Sequence, residues 1–334
     1  MRSKDLDGRR EGSDGAGRKG PPTAAHPRHR RHSLPSDHPK PACDDPAAPA
    51  ALGKILASPS YREADEDLDF LQEAATRGFR LQLEYLKAET LLKQHDVAHT
   101  IVVFGGTRIQ EPQAARRLLL EREHALAANP GDAKLSELRT IAVRLLAKSK
   151  YYTIARELGR LVGQACESMH GGRTMVMTGG GPGIMEAANR GAADVGAPSI
   201  GLNITLPREQ FPNPYVTPEL CMRFRYFALR KLHFAMRARA LVVFPGGFGT
   251  MDELFEILEL SQTRKMPPVP VILVGEAYWR KAFDPDFLVE EGVIDPEDLD
   301  LFWYAETAEE IWSGILRWYQ DGGQPMFAGC AASI

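Results

Sequence analysis

Three short apolar runs in this sequence each lead into a glycine-rich turn, and this repeated arrangement constrains the fold more than any other feature. The runs cover residues 100–104, 174–178 and 240–244, and a glycine follows each run within two positions. Runs of large apolar residues that stop at glycine or proline favour short strands buried on both faces. A segment with helical spacing of apolar residues comes after each turn, so the sequence predicts strand–turn–helix units.

The same alternation continues along the chain and predicts an α/β fold. Further strands are expected at residues 199–204 and 269–274. Helices are expected at residues 112–128, 152–169, 184–195, 226–239, 250–262, 277–291 and 308–319. Such units assemble, with right-handed crossovers, into a Rossmann-like, doubly wound, mainly parallel sheet with helices on both faces. Because parallel strands end at one edge of the sheet, the glycine-rich turns should open onto the same crevice.

Changes in composition divide the chain into four predicted segments. Residues 1–58 are rich in Gly, Pro, Asp, Arg and His and contain few large apolar residues, so a disordered tail is expected there. Residues 59–98 are predicted to form an N-terminal helical extension, residues 99–322 the Rossmann-like domain, and residues 323–334 a C-terminal tail. Inside the domain, residues 129–150 are polar and are expected to form a loop with a helical end.

The overall charge and the cysteines indicate a cytoplasmic protein that acts on small molecules. A formal net charge of −3 gives no indication of nucleic acid or an anionic membrane as partner. No apolar run approaches the roughly 20 residues of a membrane helix, and the N-terminus has no apolar signal segment. The scattered Cys43, Cys166, Cys221 and Cys330 predict neither a zinc site nor a disulfide framework. We therefore expect no metal and no cofactor.

The turns at residues 179–183 and 246–250 indicate an anion-binding site. Glycine permits positive φ and lets a ligand approach the backbone, and the next helix presents free N–H groups and the positive end of its dipole. A tight turn without a ligand is the alternative, but two such turns on one edge of a sheet favour a ligand. The sequence contains no G-x-G-x-x-G fingerprint, no P-loop and no G-x-S-x-G elbow. A single phosphate is therefore the expected anion.

Charged residues beside the second turn are candidates for a catalytic or substrate-binding role. Thr250 and Glu253 have the spacing of a capping box, which would be purely structural, but they also lie at the anion-binding edge. The preceding helix carries Arg230 and Lys231, whose side chains project about 100° apart because adjacent helical residues do so. Only one of these two cations can therefore face a site at the turn.

At these positions the sequence resembles the Lonely Guy (LOG) phosphoribohydrolase family, once labelled lysine decarboxylases. Residues 245–253 fit its PGGxGTxxE signature, residues 179–186 fit its GGGxxGxM element, and Arg230 and Lys231 fit the RK pair that precedes the signature. The resemblance runs from about Ile101 to Tyr319. It implies hydrolysis of a nucleoside 5′-monophosphate to free base and ribose 5-phosphate. The extra N-terminal segment resembles the longer bacterial branch, which favours AMP over the cytokinin nucleotides of plant-type members.

The resemblance also implies roles for individual residues. Arg230 and Glu253 would be the catalytic pair, with Glu253 stabilising an oxocarbenium-like state. The phosphate would be held by Gly246, Gly247, Gly249 and Thr250. Other substrate contacts are expected from Gly105, Gly180, Gly181, Gly183, Glu186 and Lys231. The family further implies a homodimer or a larger homo-oligomer.

Two other functions fit some of the same residues. A nucleotide-binding sensor or carrier without catalysis would use the same glycine-rich turns, and it would bind a nucleotide without releasing products. A pyridoxal-dependent decarboxylase would need a Schiff-base lysine with supporting groups, and the sequence contains no persuasive motif of that kind.

Overall fold

The computed structural model of this chain describes residues 34, 37–165, 172–207, 211–324 and 326–327, and it divides the chain into two units between Glu73 and Ala74. The first unit contains helices α1 (Ala48–Leu56) and α2 (Leu68–Gln72). Helix α1 corrects the expectation of a disordered tail at these positions, because its Ala- and Leu-rich sequence with proline in the first turn favours a helix. The rest of that predicted tail, residues 1–33, 35 and 36, lies outside the described residues.

A seven-stranded, fully parallel sheet forms the centre of the second unit, which confirms the predicted fold class. The strands are β1 (Val97–Phe104), β2 (Arg173–Thr178), β3 (Ser199–Ile204), β4 (Cys221–Phe224), β5 (Ala238–Val243), β6 (Val271–Val274) and β7 (Trp303–Ala305). Their order across the sheet is β4-β3-β2-β1-β5-β6-β7. The chain therefore builds outward from β1 in one direction and then crosses to β5 on its other side. This reversal creates a crevice beyond the carboxyl ends of β1 and β5.

Helices cover both faces of the sheet. They are α3 (Arg77–Gln94), α4 (Pro112–Ala128), α5 (Ala133–Gln164), α6 (Ile184–Asp194), α7 (Phe227–Met236), α8 (Phe248–Gln262), α9 (Glu276–Ala282), α10 (Pro285–Glu290) and α11 (Ala308–Asp321). Ile101 and Val103 of β1 face a core shared with α5, α6 and α11, while Val102 and Phe104 face a core shared with α3, α7, α8 and α9. Alternate residues of a strand point to opposite faces, which explains why the buried strands read as continuous apolar runs.

The predicted and observed secondary structures differ most in the polar segment at residues 129–150. Helix α5 is 32 residues long and begins at Ala133, where the Asp132 carboxylate accepts hydrogen bonds from the amides of Lys134 and Leu135. The expected loop is therefore wrong over most of this segment, because its polar residues form the exposed face of a helix. The predicted end of this helix, at residues 166–169, lies outside the described residues.

Other differences concern short elements and the ends of the domain. Strands β4 and β7 have only four and three residues and were not expected, and the helix predicted at 277–291 is divided into α9 and α10. Helix α3, expected in a separate extension, lies in the second unit and packs against β1 and α7. In the predicted C-terminal tail, Met326 and Phe327 are buried in the core because both side chains are apolar; residues 325 and 328–334 are outside the described part.

Helix α3 is tied to both ends of α7, the helix that carries Arg230. At the start of α7, the Glu84 carboxylate accepts hydrogen bonds from the amides of Arg225 and Tyr226, the latter at 3.3 Å. Just after its end, the Arg237 guanidinium donates to both carboxylate oxygens of Glu89, at 2.7 and 3.1 Å. A bidentate, largely buried pair of this kind fixes orientation as well as contributing energy.

We predict that Glu89→Gln lowers the free energy of unfolding by about 2 kcal/mol at neutral pH, the usual size of a hydrogen bond to a charged group. The Arg237 guanidinium lowers the pKa of Glu89 from its ordinary value of 4.5. The stabilisation should therefore be complete above that value and should be lost as the pH falls through the lower native pKa. Urea unfolding at several pH values would measure this.

The exposed Glu121→Gln serves as the control, since Glu121 forms no ion pair within the described residues. The wild type and Glu89→Gln should converge in stability in acid, whereas Glu121→Gln should follow the wild type throughout. Equal stability of Glu89→Gln and wild type at neutral pH would contradict the role given to this pair.

Candidate active site

A cavity of about 310 Å³ opens at the crevice between the ends of β1 and β5. We call it the Glu253 cavity. Its lining residues are Phe104, Gly105, Gly106, Thr107, Gly179, Met185, Ile204, Leu206, Phe227, Arg230, Gly247, Gly249, Thr250 and Glu253. The two glycine-rich turns thus meet in one cavity, since Gly179 follows β2 while Gly247 and Gly249 follow β5.

The turn after β5 contributes Gly247 and Gly249 to the lining of this cavity. Helix α8 begins at Phe248, so the amides of Phe248 and Gly249 lie in its first turn and have no partner within the helix. Among the described residues, no backbone carbonyl or side chain outside the helix accepts a hydrogen bond from the amides of Gly246, Gly247, Phe248 or Gly249. Of these four residues, Gly247 and Gly249 line the Glu253 cavity, and free donors at the positive end of a helix dipole favour a bound anion.

Glycine is required in these turns for two different reasons. A Cβ on Gly246 would lie 2.1 Å from the Thr250 hydroxyl oxygen, and a Cβ on Gly105 would lie 2.7 Å from the Ile184 side chain, so both positions are closed by the protein itself. A Cβ on Gly247 or Gly249 would meet no protein atom within 4 Å. At these two positions, the absence of a side chain leaves the backbone open to a ligand.

Arg230 and Glu253 form an ion pair in the wall of the cavity. An Arg230 Nη2 atom lies 3.0 Å from Glu253 Oε1, and the side chains are 13% and 4% exposed. The guanidinium also lies over the rings of Phe227 and Phe234, at 5.2 and 5.5 Å from their centroids. Its Nε atom is buried without a hydrogen-bond partner among the described residues. Cation–π contacts and the carboxylate together fix the guanidinium plane.

Burial controls the ionisation of Glu253. Desolvation raises the pKa of this carboxyl above its ordinary value of 4.5, while the nearby charges of Arg230 and Lys231 lower it and only partly offset the burial. A carboxylate in such a place is a better proton acceptor than an exposed one. The capping-box interpretation of Thr250 and Glu253 is wrong, because the N-cap of α8 is Gly247 and Glu253 pairs with Arg230 instead.

Lys231, which follows Arg230 in the sequence, has a different environment from Arg230. Lys231 does not line the Glu253 cavity and pairs with Asp252 at 2.9 Å and Glu256 at 3.4 Å. Glu186 lies outside the lining of the cavity and accepts a hydrogen bond of 2.7 Å from the Tyr152 hydroxyl. Substrate contacts by Lys231 and Glu186 stay predictions that the observed geometry does not favour.

The remaining predicted glycines divide between structural and lining positions. Gly180 and Gly183 have positive φ values of 68° and 73°, and a Cβ on either would collide with Asn203 or with the backbone after β1. The Gly181 carbonyl accepts a hydrogen bond from the Asn213 side chain. These three glycines shape the turn but do not line the Glu253 cavity.

Gly246 lines a neighbouring cavity of about 370 Å³, which we call the Lys148 cavity. Its lining residues are Gly106, Thr107, Arg108, Ile109, Lys148, Pro245, Gly246, Gly247 and Tyr278. The two cavities share Gly106, Thr107 and Gly247.

Sequence reasoning missed the apolar wall of the Glu253 cavity, formed by Phe104, Met185, Ile204, Leu206 and Phe227. Apolar residues of strands and helices are expected in the core, so their type gave no sign of a site. One signal was present for Phe227, which stands three positions before Arg230 and therefore on the same side of α7.

Within the described residues, no group of three or more His, Cys, Asp or Glu side chains could hold a metal ion. No helix in this part of the chain has the length and apolar character needed to cross a membrane.

Comparison with known proteins places the chain in a family. Residues 185–315 match the family model described as "Possible lysine decarboxylase". The cytokinin riboside 5′-monophosphate phosphoribohydrolase LOG3 of Arabidopsis thaliana is 30% identical over 169 residues, which cover 49% of this chain and 74% of that protein. The phosphoribohydrolase LOG of Oryza sativa subsp. japonica is also 30% identical, over 49% of this chain and 65% of that protein.

A molybdenum cofactor carrier protein of Chlamydomonas reinhardtii has 17% identity and a TM-score of 0.36 over 67% of this chain and 98% of that structure, a similarity too low to support an inference. The relationship rests instead on LOG3 and on the family model, whose matched residues 185–315 include the PGGxGTxxE turn. From this similarity and the signature together, the chain belongs to the LOG phosphoribohydrolase family.

Proposed function

We propose that this protein hydrolyses the N-glycosidic bond of a nucleoside 5′-monophosphate and releases free base and ribose 5-phosphate. One observation carries the proposal. Gly247 and Gly249, whose amides are free among the described residues, line the same cavity as the buried Arg230–Glu253 pair. A phosphate on the amides would then hold the sugar within reach of the carboxylate. The names of the relatives support the same chemistry.

Glu253 is proposed to act on the anomeric carbon. As the bond from C1′ to the base nitrogen breaks, positive charge develops on the sugar, as in other glycoside hydrolyses. A buried carboxylate stabilises that charge strongly because little water screens it. The same carboxylate can accept a proton from the water that attacks C1′, and its raised pKa makes it more effective in this role.

Arg230 is proposed to keep Glu253 ionised and correctly placed. The guanidinium remains charged at all relevant pH values, and its contacts with Phe227 and Phe234 fix it in the wall of the cavity. Because its Nε donor is unused among the described residues, a substrate oxygen could complete its hydrogen bonding. The pair would thus combine positioning with electrostatic stabilisation.

The base is proposed to lie against the apolar wall. Met185, Ile204, Leu206 and Phe227 offer dispersion contacts to a purine ring and no charged group that would select among exocyclic substituents. AMP and a cytokinin riboside 5′-monophosphate are both proposed as substrates on this ground.

The homodimer expected from the family stays a proposal. Phe227 and Leu206 of this wall are 49% and 41% exposed, and Phe248 beside it is 95% exposed. A second copy of the chain would cover this apolar rim.

The direct test is to incubate the purified chain with AMP or with N6-isopentenyl-AMP and to separate the products by chromatography. Free base and ribose 5-phosphate are expected in equal amounts. Nucleoside and inorganic phosphate would identify a phosphatase instead. Tight nucleotide binding without any product would favour the sensor or carrier.

Replacement of Glu253 by glutamine should abolish most turnover while the protein stays folded. Glutamine keeps the size of the side chain but removes the negative charge, and loss of one electrostatic group costs about 100-fold or more in kcat. The matched control is the exposed Glu259→Gln, six residues along the same helix and outside the cavity. Single-turnover rates and nucleotide binding would both be measured. Equal loss in the two variants would contradict the role given to Glu253.

The pH dependence of turnover should report the environment of Glu253. If Glu253 acts as the carboxylate, activity falls in acid as the pH drops through its raised pKa, so the acidic limb lies above 4.5. Lys231 lowers the pKa of Glu253 from outside the cavity. Lys231→Gln should therefore move the acidic limb of kcat/KM to higher pH, whereas the exposed Lys265→Gln should leave it in place. An acidic limb at the same pH in all three proteins would assign it to another group.

A further inference from the structure

The Lys148 cavity is a second candidate binding site on the same crevice. It has the larger volume of the two, about 370 Å³ against 310 Å³, and lies at the ends of β1 and β5 where α/β proteins bind ligands. The Arg230–Glu253 pair, Thr250 and Gly249 do not line it. The function proposed above leaves this cavity without a role.

The charged side chains of this cavity are all cationic. Arg108 follows β1 and Lys148 lies on α5, and none of the nine lining residues is Asp or Glu. Across the described ranges of the chain, neither Arg108 nor Lys148 forms an ion pair. By contrast, Lys150 on the same helix pairs with Glu306. Two unpaired cations that face one cavity attract an anion.

The backbone of the cavity adds to this preference. Three carbonyls at its wall already accept hydrogen bonds from the protein: Pro245 from the Gly106 amide at 2.8 Å, Gly106 from the Ile109 and Ile184 amides, and Gly246 from the Tyr278 hydroxyl at 2.5 Å. These three carbonyl oxygens are therefore already engaged in hydrogen bonds within the protein. The Thr107 hydroxyl and the Gly246 amide remain as donors beside Arg108 and Lys148.

We propose that the Lys148 cavity binds a phosphoryl group, as inorganic phosphate or a phosphate monoester, separately from the 5′-phosphate of a substrate in the Glu253 cavity. A guanidinium, an ammonium and hydroxyl and amide donors form the set that recognises a tetrahedral phosphate. Because Gly106, Thr107 and Gly247 line both cavities, an anion bound in one cavity contacts residues that also form the wall of the other.

Equilibrium dialysis with labelled inorganic phosphate, at constant ionic strength set with chloride, tests the proposal. The Glu253→Gln chain saturated with AMP keeps the Glu253 cavity occupied, so phosphate that still binds reports the Lys148 cavity. Adding Arg108→Gln and Lys148→Gln should weaken this binding at least about tenfold, the effect of losing one charge-assisted hydrogen bond. The control, Lys134→Gln, makes the charge change of Lys148→Gln alone, fourteen residues earlier on α5, and should bind like the parent.

A parallel titration with ribose 5-phosphate distinguishes the source of the phosphoryl group, because tighter binding than inorganic phosphate identifies a sugar phosphate. Phosphate binding that AMP abolishes, or that survives the double substitution, would overturn the proposal. So would a tenfold rise in the nucleotide KM when Arg108→Gln and Lys148→Gln are made together in the chain that keeps Glu253, which would place the substrate's own phosphate in the Lys148 cavity. If AMP does not bind at all, the proposed function fails, but the titration without AMP still tests Arg108 and Lys148.

Discussion

The parallel pairing of β1 with β5 is the constraint on which the rest of the structure depends. It continues past the last paired residues, since the Phe244 amide donates to the Phe104 carbonyl and the Gly106 amide donates to the Pro245 carbonyl, both at 2.8 Å. The two glycine-rich ends therefore leave the sheet side by side and cannot separate without breaking the ladder. Because the chain turns in opposite directions after these strands, neither end is covered by the helix of the other. The order of the strands therefore leaves the backbone after β1 and β5 accessible to a ligand.

The buried Arg230–Glu253 ion pair lowers the stability that this crevice could otherwise have. Moving Arg230 and Glu253 out of water is unfavourable, and the attraction between them repays it only with good geometry. Only one hydrogen bond joins them, and Arg230 Nε has no partner among the described residues. An apolar pair of equal volume would suit stability at least as well. Retaining an incompletely satisfied pair is what a site requires when the missing partner is a ligand.

The sequence predicted the class of the fold because the signals were local and strong. The apolar runs that became β1, β2 and β5 end in glycine or proline, and this pattern has few other structural interpretations. Strands β4 and β7 were missed because a run of four or three residues carries no periodicity, and only their pairing with β3 and β6 makes them strands. The first part of helix α5, before the predicted helix at 152–169, was expected to be a loop because most of it faces solvent, so tertiary packing and not composition defines it.

The site was predictable to the extent that its residues are unusual. Arg230, Glu253 and the glycines of the β5 turn stood out by type and spacing, and the turn glycines Gly180 and Gly183 stood out equally although their role in the structure is conformational. A one-dimensional pattern cannot separate a glycine that admits a ligand from one that fits a turn, because both satisfy the same backbone requirement. The apolar wall was invisible for the opposite reason, since Met185 and Phe227 look like any core residue.

Rigidity of the β5 turn links the two cavities physically. Gly246 is held between the Thr250 side chain on one side and the Tyr278 hydroxyl on the other, so its peptide has little freedom to rotate. Donors held in place before a ligand arrives need no reorganisation when charge develops, and that is the condition under which they contribute most. The same rigidity means that a ligand on either side meets a wall whose position is already set. Gly247 meets no protein atom at its Cβ position and lines both cavities. A ligand bound in one cavity would therefore contact the wall of the other cavity at Gly247.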